Sequence, residues 1–246
     1  EIIIVDNNST DGTKKFLRKF KHNIVLIENN TNLGFARANN IGFANARGKF
    51  LLFLNPDTII GENLIENYVK FYSSKKNVGL LSCRMVDGRG EFLPESKRNT
   101  PTQSIALKKI FNLNTGYYSE LDAYEFGKVD VLCGANIFVE KNKFNELGKF
   151  NEKYFMYGEE IELSVKSKLK GYDNYYFGKN SILFMPKEYK TIKKLVNKIA
   201  STNYLGDKEI PFFIGSGRYM EIRAKELGLC KDCLLYTSDA ADDLWC

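Results

Sequence analysis

The strongest constraint on the fold is a series of short apolar runs that each end in a polar cluster. The first run covers residues 2–5 and the third covers residues 50–54, and both have the composition of parallel strands buried on two faces. Helical patterns lie between the runs, for example at residues 35–46. This alternation at short spacing predicts an α/β protein with a doubly wound sheet.

Both ends of the chain suggest that the sequence is a piece of a longer one. Glu1 already lies in a strand-like run, so we expect the first strand of the fold to be missing. We place the main domain at residues 1–186 and a basic helical extension at 187–229. Residues 230–246 differ in character and resemble translated adapter sequence, and we exclude them from the fold as a non-native tail.

The composition is typical of a globular domain and argues against a membrane-spanning or a nucleic-acid-binding protein. Hydrophobic residues make up 43% of the chain and charged residues 27%, and no segment reaches the ~20 apolar residues that cross a bilayer. The net charge of +6 lacks the aromatic partners of a nucleic-acid-binding surface. Lysines at helical spacing within residues 187–198 predict a basic helix that could contact anionic lipid or pack on the domain.

Two polar clusters directly follow predicted strands, where open α/β sheets bind ligands. Asp6 and Asn8 follow the first run. Asp6 could accept hydrogen bonds from a ribose or a base, or it could organise the turn and cap the next helix. Asn55 and Asp57 follow the third run. Asp57 is suited to bridging a metal ion to a diphosphate, and the competing interpretation is an ordinary Pro-Asp turn.

A cluster of carboxylates begins a predicted helix directly after an aromatic segment. Glu159, Glu160 and Glu162 lie in the first turn of this helix, where the helix dipole alone favours acidic residues. The preceding residues 154–157 are strongly apolar, and such a surface can raise the pKa of a carboxyl toward the range of a general base. The cluster is therefore both a candidate catalytic centre and a candidate helix start.

Six motifs, taken in order, resemble family 2 glycosyltransferases, and most closely the rhamnosyltransferase-like branch that builds bacterial surface polysaccharides. The motifs are VDNNSTDGT at 5–13, NLGFARANN at 32–40, FLNPD at 53–57, GAN at 134–136, GKFNE at 148–152 and YGEEIEL at 157–163. The resemblance covers roughly residues 1–185. The order of the motifs makes it far more specific than any one of them.

The resemblance implies a GT-A fold, which is a Rossmann-like mixed sheet flanked by helices, here without its first strand. It implies an inverting transfer from a nucleotide-diphosphate sugar, dTDP- or UDP-linked, to a hydroxyl of a glycan or lipid-linked glycan. It also implies Mg²⁺ or Mn²⁺ as cofactor, and a cytoplasmic location with peripheral contact at the inner face of the plasma membrane. Rhamnose is the sugar suggested, and galactose, glucose and amino sugars are the alternatives.

Roles for individual residues follow from the same resemblance. Glu160 is expected to be the catalytic base, with Glu159 as the alternative. Asp57 stands at the family's DxD position and is expected to bind the metal. The donor is expected to contact Asp6, Asn8, Arg37, Asn40, Asn55 and Asp57, and the acceptor to contact Gly134, Ala135, Asn136 and Glu162.

Three departures from the family pattern keep other functions in competition. The first strand is absent, the usual Asp of an FDE motif is Asn151, and no histidine follows the last strand near residues 184–186. The alternatives are a sugar nucleotidyltransferase and a nucleotide-sugar-binding remnant without turnover. The carboxylates at 159–162 fit a sugar-acceptor site better than a nucleotidyltransferase.

Overall fold

A mixed sheet carries most of the strands that the sequence predicts. The computed structural model describes residues 1–18, 24–61, 63–102, 105 and 116–184, together with the backbone of residues 233–238. Within these residues, nine strands pair in one sheet and two short strands pair separately. The strands are Ile2–Asp6 (β1), Val25–Glu28 (β2), Phe50–Leu54 (β3), Thr58–Ile60 (β4), Val78–Val86 (β5), Lys97–Arg98 (β6), Phe126–Val129 (β7), Val131–Leu132 (β8), Asn136–Glu140 (β9), Asp173–Phe184 (β10) and Cys233–Ser238 (β11).

Helices of the described residues pack on both faces of this sheet. They are Thr13–Leu17 (α1), Phe35–Asn45 (α2), Leu64–Ser74 (α3), Lys141–Glu146 (α4) and Glu159–Leu169 (α5). The helix predicted at 35–46 is confirmed to within one residue. α2 and α5 both begin directly after a glycine with positive φ, Gly34 at 78° and Gly158 at 104°.

Strand order places β11 in the middle of the parallel part of the sheet. The order is β2-β1-β11-β3-β9-β5-β10-β4, and β7 pairs with β10. β1, β2, β11 and β3 are parallel neighbours. Because a doubly wound sheet has the order 3-2-1-4, β11 stands where such a sheet has its first strand.

The backbone of residues 233–238 thus occupies this position, and the assignment of residues 230–246 as a non-native tail stays a prediction. An open position between two buried parallel strands would leave backbone N–H and C=O groups without partners, and the backbone of β11 pairs with both strands. The basic helix predicted at 187–198 lies outside the described residues.

Two hydrophobic layers form because side chains alternate along the strands. On one face, Ile3 of β1 and Phe53 of β3 pack in the layer that also contains residues of α2, α4 and α5. On the other face, Ile4 and Leu52 pack in the layer that contains residues of α1 and α3. All five residues of β3 are buried, which agrees with the prediction of a strand covered on both faces.

Two later segments of the chain are irregular. Residues 129–139 contain β8, a turn and the start of β9. The register of β10 against β5 shifts between Phe177 and Ser181. An irregularity of this kind bends a strand without ending it, and the sequence pattern alone does not separate the two cases.

Close packing at Gly34 joins the start of α2 to the segment that precedes α5. The Phe35 N–H donates to the carbonyl oxygen of Phe155 at 2.8 Å. A Cβ atom added to Gly34 would lie 2.3 Å from that oxygen and 2.8 Å from Cδ2 of the Phe155 ring. Gly34 therefore allows two segments far apart in the sequence to meet.

Replacement of Gly34 by Ala is expected to destabilise the protein by roughly 2–4 kcal/mol, because the new Cβ meets backbone and the backbone conformation suits only glycine. Gly12 is the matched control, since its φ is 95° but no atom lies within 4 Å of an added Cβ. Gly12→Ala should cost about 1 kcal/mol from backbone strain alone. Urea unfolding of both variants measures the difference, and equal losses would contradict the packing role of Gly34.

Candidate active site

The loop between β8 and β9 joins two of the predicted clusters at one edge of the sheet. The backbone N–H of Asn55, directly after β3, donates to the carbonyl of Ala135 at 3.0 Å. Gly134 lies so close to α5 that an added Cβ would be 3.5 Å from Cβ of Glu160. The segment after β3 and the carboxylates of α5 therefore pack against the same loop.

A pair of buried carboxylates begins α5. Glu159 is 4% exposed and Glu160 is 6% exposed. The Glu160 carboxylate accepts a hydrogen bond from Nη2 of Arg98 at 2.9 Å and from the Gly158 N–H at 3.0 Å. Both of its oxygens thus have hydrogen-bond partners within the protein.

Glu159 is the less satisfied member of the pair. Its Oε2 atom is buried and has no hydrogen-bond partner. Burial and, to a smaller extent, the negative charge of Glu160 raise the pKa of Glu159 from 4.5 to about 7, against smaller opposing effects of a backbone hydrogen bond and Arg98. A carboxyl with a pKa near neutrality and an unpartnered oxygen is suited to accept a proton.

Arg98 supplies the positive charge at this site, and sequence reasoning missed it. It lies on β6, is 8% exposed, and donates through Nη2 to the Leu132 carbonyl at 3.1 Å as well as to Glu160. Its Nη1 atom donates to the Tyr117 hydroxyl at 3.3 Å. Arg98 falls in a stretch without clear periodicity or a family motif, so no sequence signal marked it.

Asp57 has one orphaned oxygen. Its Oδ1 atom is buried without a hydrogen-bond partner, and burial raises the pKa of this carboxyl. In the part of the chain that the structure describes, no three His, Cys, Asp or Glu side chains cluster as a metal site. Mg²⁺ commonly takes one or two protein carboxylates and completes its shell with phosphate and water, so a single orphaned carboxylate fits a metal-diphosphate.

Asp6 organises the turn that follows β1. It is fully buried, and its Oδ2 atom accepts hydrogen bonds from the N–H groups of Asn8 at 3.2 Å and Ser9 at 3.1 Å. Lys14 lies 3.7 Å from Asp6 and donates to Oδ1 of Asn8 at 2.7 Å. These contacts match the turn-forming alternative, while the next helix is preceded by Gly12 without a side-chain cap.

Arg37 and Asn40 contact the segment around Phe150. The amide of Asn40 donates to the Phe150 carbonyl at 2.8 Å and accepts from the Phe150 N–H at 3.2 Å. Arg37 is exposed and lies 3.8 Å from Glu152. Both residues therefore hold α2 to this segment, and their assignment to the donor stays a prediction.

Two of the predicted acceptor residues form hydrogen bonds within the protein. Asn136 is fully buried, and its Oδ1 atom accepts from the Tyr68 hydroxyl at 3.0 Å, whereas its Nδ2 atom has no partner. Glu162 accepts from Lys166 at 2.6 Å and from the amide of Asn151 at 2.8 Å. The Asn151 departure is thereby explained locally, because an amide can donate to Glu162 whereas an ionised Asp cannot.

Asn7 is a further residue that sequence reasoning missed. Its buried amide donates to the Gly34 carbonyl at 3.3 Å and accepts from Asn29 at 2.8 Å. It joins the ends of β1 and β2 to the start of α2.

Among the described residues, none of the helices has the length and hydropathy needed to cross a membrane.

Glu159→Gln is expected to stabilise the protein at pH 8 by roughly 2–3 kcal/mol, because the folded state raises the pKa of Glu159 from 4.5 to about 7. The stability that this group contributes is fully present below pH 4.5 and is lost as the pH rises through about 7. Urea unfolding at pH 5 and pH 8 should show the advantage of the variant growing with pH. The surface change Glu66→Gln is the control, and a pH-independent difference for Glu159→Gln would contradict the assigned pKa.

Comparison with known proteins gives a consistent family assignment. The model of Glycosyl transferase family 2 matches residues 1–148. Rhamnosyltransferase WbbL of Escherichia coli (strain K12) is 26% identical over 208 residues, covering 71% of this chain and 79% of that protein. N-acetylglucosaminyl-diphospho-decaprenol L-rhamnosyltransferase of Mycobacterium tuberculosis (strain ATCC 25618 / H37Rv) is 26% identical over 201 residues, covering 74% of this chain and 65% of that protein.

Solved structures show the same fold at low sequence identity. The structure of GalNAc-T7 with UDP, GalNAc and Mn²⁺ gives a TM-score of 0.58 at 16% identity, covering 76% of this chain and 38% of that one. S. aureus TarS 1–349 gives a TM-score of 0.52 at 18% identity, covering 85% and 57%. The GT-A fold is thereby confirmed. Because the family match extends over more than half of the 246 residues, the chain belongs to glycosyl transferase family 2 and is a glycosyltransferase.

Proposed function

We propose that this chain transfers a sugar, with inversion, from a nucleotide-diphosphate donor to a hydroxyl group of a glycan or lipid-linked glycan. The observation that carries the proposal is the buried pair at the start of α5, in which Glu159 has an unpartnered oxygen and a pKa of about 7. A general base needs such a pKa to be unprotonated and still basic at neutral pH.

Glu159, rather than Glu160, is the base in this proposal. The family resemblance favours Glu160, but its two oxygens already accept hydrogen bonds, one from Arg98 and one from Gly158, whereas Oε2 of Glu159 accepts none. The charge of Glu160 instead raises the pKa of Glu159. Because Glu160 acts on Glu159 in this way, variants of both residues are needed to separate their roles.

The chemical step needs one proton transfer and one displacement. Glu159 takes the proton from the acceptor hydroxyl while the oxygen of that hydroxyl forms a bond to the anomeric carbon of the donor sugar. The bond between that carbon and the diphosphate oxygen breaks on the opposite side, and the nucleoside diphosphate leaves with the electron pair. The environment of Glu159 excludes water, which limits competing hydrolysis of the donor.

Asp57 is the residue proposed to hold Mg²⁺ or Mn²⁺ together with the diphosphate. When bound, the metal would neutralise charge on the leaving diphosphate. The orphaned Oδ1 of Asp57 supports this role. Asp6 and the turn that it organises lie at the carboxyl end of β1, where doubly wound sheets bind nucleotides.

The relatives suggest the substrates. Two of them are rhamnosyltransferases, and the name of one specifies an N-acetylglucosaminyl-diphospho-lipid acceptor. A solved structure of the same fold contains UDP and Mn²⁺. We therefore propose a dTDP- or UDP-linked sugar as donor and a lipid-linked glycan as acceptor, with peripheral contact at the cytoplasmic membrane face.

Glu159→Gln is expected to lower kcat by about 10²- to 10⁴-fold, because proton removal from the acceptor is lost. Nucleotide release from UDP- and dTDP-sugars, with methyl glycosides as acceptors, measures this loss. The kcat of the unmodified chain should fall as the pH drops through about 7, where Glu159 binds a proton. Glu160→Gln should move this limb to lower pH, because it removes a negative neighbour and leaves Arg98 beside Glu159.

The two variants separate the assignments. An active Glu159→Gln variant together with an inactive Glu160→Gln variant would make Glu160 the base. Full activity in both variants would contradict an acid-pair mechanism altogether. Nucleotide affinity of each variant, measured by calorimetry, shows whether the substitution has left the fold intact.

Titration calorimetry with UDP, dTDP and GDP tests the donor site. One nucleotide is expected to bind, and its affinity should weaken at least about tenfold without Mn²⁺ and in Asp57→Asn, because the metal bridge is lost. Glu66→Gln, which removes one exposed carboxylate on α3, is the matched control. Absence of nucleotide binding by the unmodified chain would contradict the transferase proposal.

A further inference from the structure

Three exposed aromatic side chains precede the carboxylate pair. Tyr154 is 38% exposed, Phe155 is 56% exposed and Tyr157 is 44% exposed. We refer to these three residues as the aromatic rim. Large aromatic groups usually lose most of their exposure on folding, so three exposed rings within four residues need an explanation.

Glycines at two helix starts make room for two of these rings. A Cβ added to Gly158 would lie 3.0 Å from Cε1 of the Tyr154 ring, and one added to Gly34 would lie 2.8 Å from Cδ2 of the Phe155 ring. Gly158 precedes α5, and Gly34 precedes α2. The rim therefore lies directly beside the start of the helix that carries the acid pair.

The backbone of the rim is held in place by specific contacts. The Phe155 carbonyl accepts from the Phe35 N–H at 2.8 Å, and the Tyr154 N–H donates to the Asn151 carbonyl at 3.1 Å. The rings are thus displayed from a fixed segment, which lowers the entropy that a ligand would have to overcome on binding.

Tyr157 has an uncommon backbone conformation. Its φ is +66°, in the left-handed region that bulky residues rarely adopt. Backbone strain of this kind is concentrated at functional sites. At Tyr157 it occurs two residues before Glu159.

The charged residues next to the aromatic rim indicate what kind of ligand can bind there. Glu152 and Lys153 are exposed immediately before it, and Glu159 with its unpartnered oxygen follows it. A membrane or an apolar protein surface would need a continuous apolar area, which these charges interrupt. A pyranose ring has apolar C–H faces and a polar edge, so it matches an aromatic face bordered by carboxylates.

We propose that the aromatic rim is the acceptor subsite, on which a pyranose ring of the acceptor glycan stacks so that its hydroxyl reaches Glu159. The proposal rests on the transferase function above and adds the site at which the acceptor sugar is recognised. Phe155 and Tyr157 supply the stacking surface, and the Tyr154 N–H fixes the segment through the Asn151 carbonyl.

Saturation-transfer NMR with methyl glucopyranoside and methyl N-acetylglucosaminide tests the subsite without donor or turnover. The unmodified chain should show transfer to the C–H protons of both pyranosides and little transfer to sorbitol, an open-chain polyol without a ring face. Phe155→Leu keeps an apolar side chain without the ring, and Tyr157→Asn keeps a residue that tolerates positive φ. Each variant should reduce the signal about fivefold or more and raise KM for the glycoside with little change in kcat.

Tyr124→Ala is the matched control, since Tyr124 is 63% exposed and lies outside the rim. Glycoside signals equal to those of the unmodified chain in both rim variants would overturn the subsite while leaving the base proposal intact. Loss of binding to phosphatidylglycerol vesicles in these variants, with glycoside binding retained, would instead assign the rim to a membrane. Glycoside binding at the rim without turnover of any nucleotide sugar would overturn the proposed function alone.

Discussion

Two carboxyl groups are buried at the start of α5. The ion pair between Arg98 and Glu160 is the interaction that allows both of them to be buried there. A buried ionised carboxylate without a partner is strongly unfavourable, and a second one nearby adds repulsion. Arg98 lies 2.9 Å from Glu160, and the Leu132 carbonyl holds Arg98 in place. Arg98 bonds to Glu160, whereas Oε2 of Glu159 has no hydrogen-bond partner and burial raises the pKa of Glu159. The difference between the two carboxyls, and the division of roles that we derive from it, follows from the position of this one cation.

The core is stabilised by close packing of apolar side chains, whereas the site contains buried polar atoms without hydrogen-bond partners. In the core, rings such as Phe53, Phe144 and Phe150 lie in contact, with centroids 4.6–5.2 Å apart. At the site, buried polar atoms of Glu159, Asp57 and Arg98 lack protein partners. Such atoms are uncommon in folded proteins because each costs free energy. A bound substrate that formed hydrogen bonds to these atoms would offset part of that free energy. The atoms that lower the stability of the free protein would then contribute to its affinity for the substrate.

Local patterns in the sequence predicted local structure well. β3 has the predicted bounds and α2 differs by one residue, because buried strands and amphipathic helices leave a periodic signal over a few residues. The acid pair also has a local signal, since the aromatic segment and the carboxylates are adjacent in the chain. Arg98 has none, because its contact with Glu160 joins residues 62 positions apart. The contact of the Asn40 amide with backbone 110 residues away is likewise beyond the reach of any local pattern.

These long-range contacts also determine when the site can form during folding. The ion pair of Arg98 with Glu160, the contact of Asn40 with Phe150 and the packing of Phe155 on Gly34 all join segments that are distant in the sequence. Closing loops of this length costs conformational entropy before the contacts can stabilise the chain. Chains dominated by such long-range contacts fold slowly. No single hairpin or helix pair contains the site, so the carboxylates of α5 stay solvated and ordinary in pKa until the sheet is nearly complete. Catalytic competence is therefore a late product of folding, and until then the hydrophobic strands β1 and β3 are exposed to aggregation.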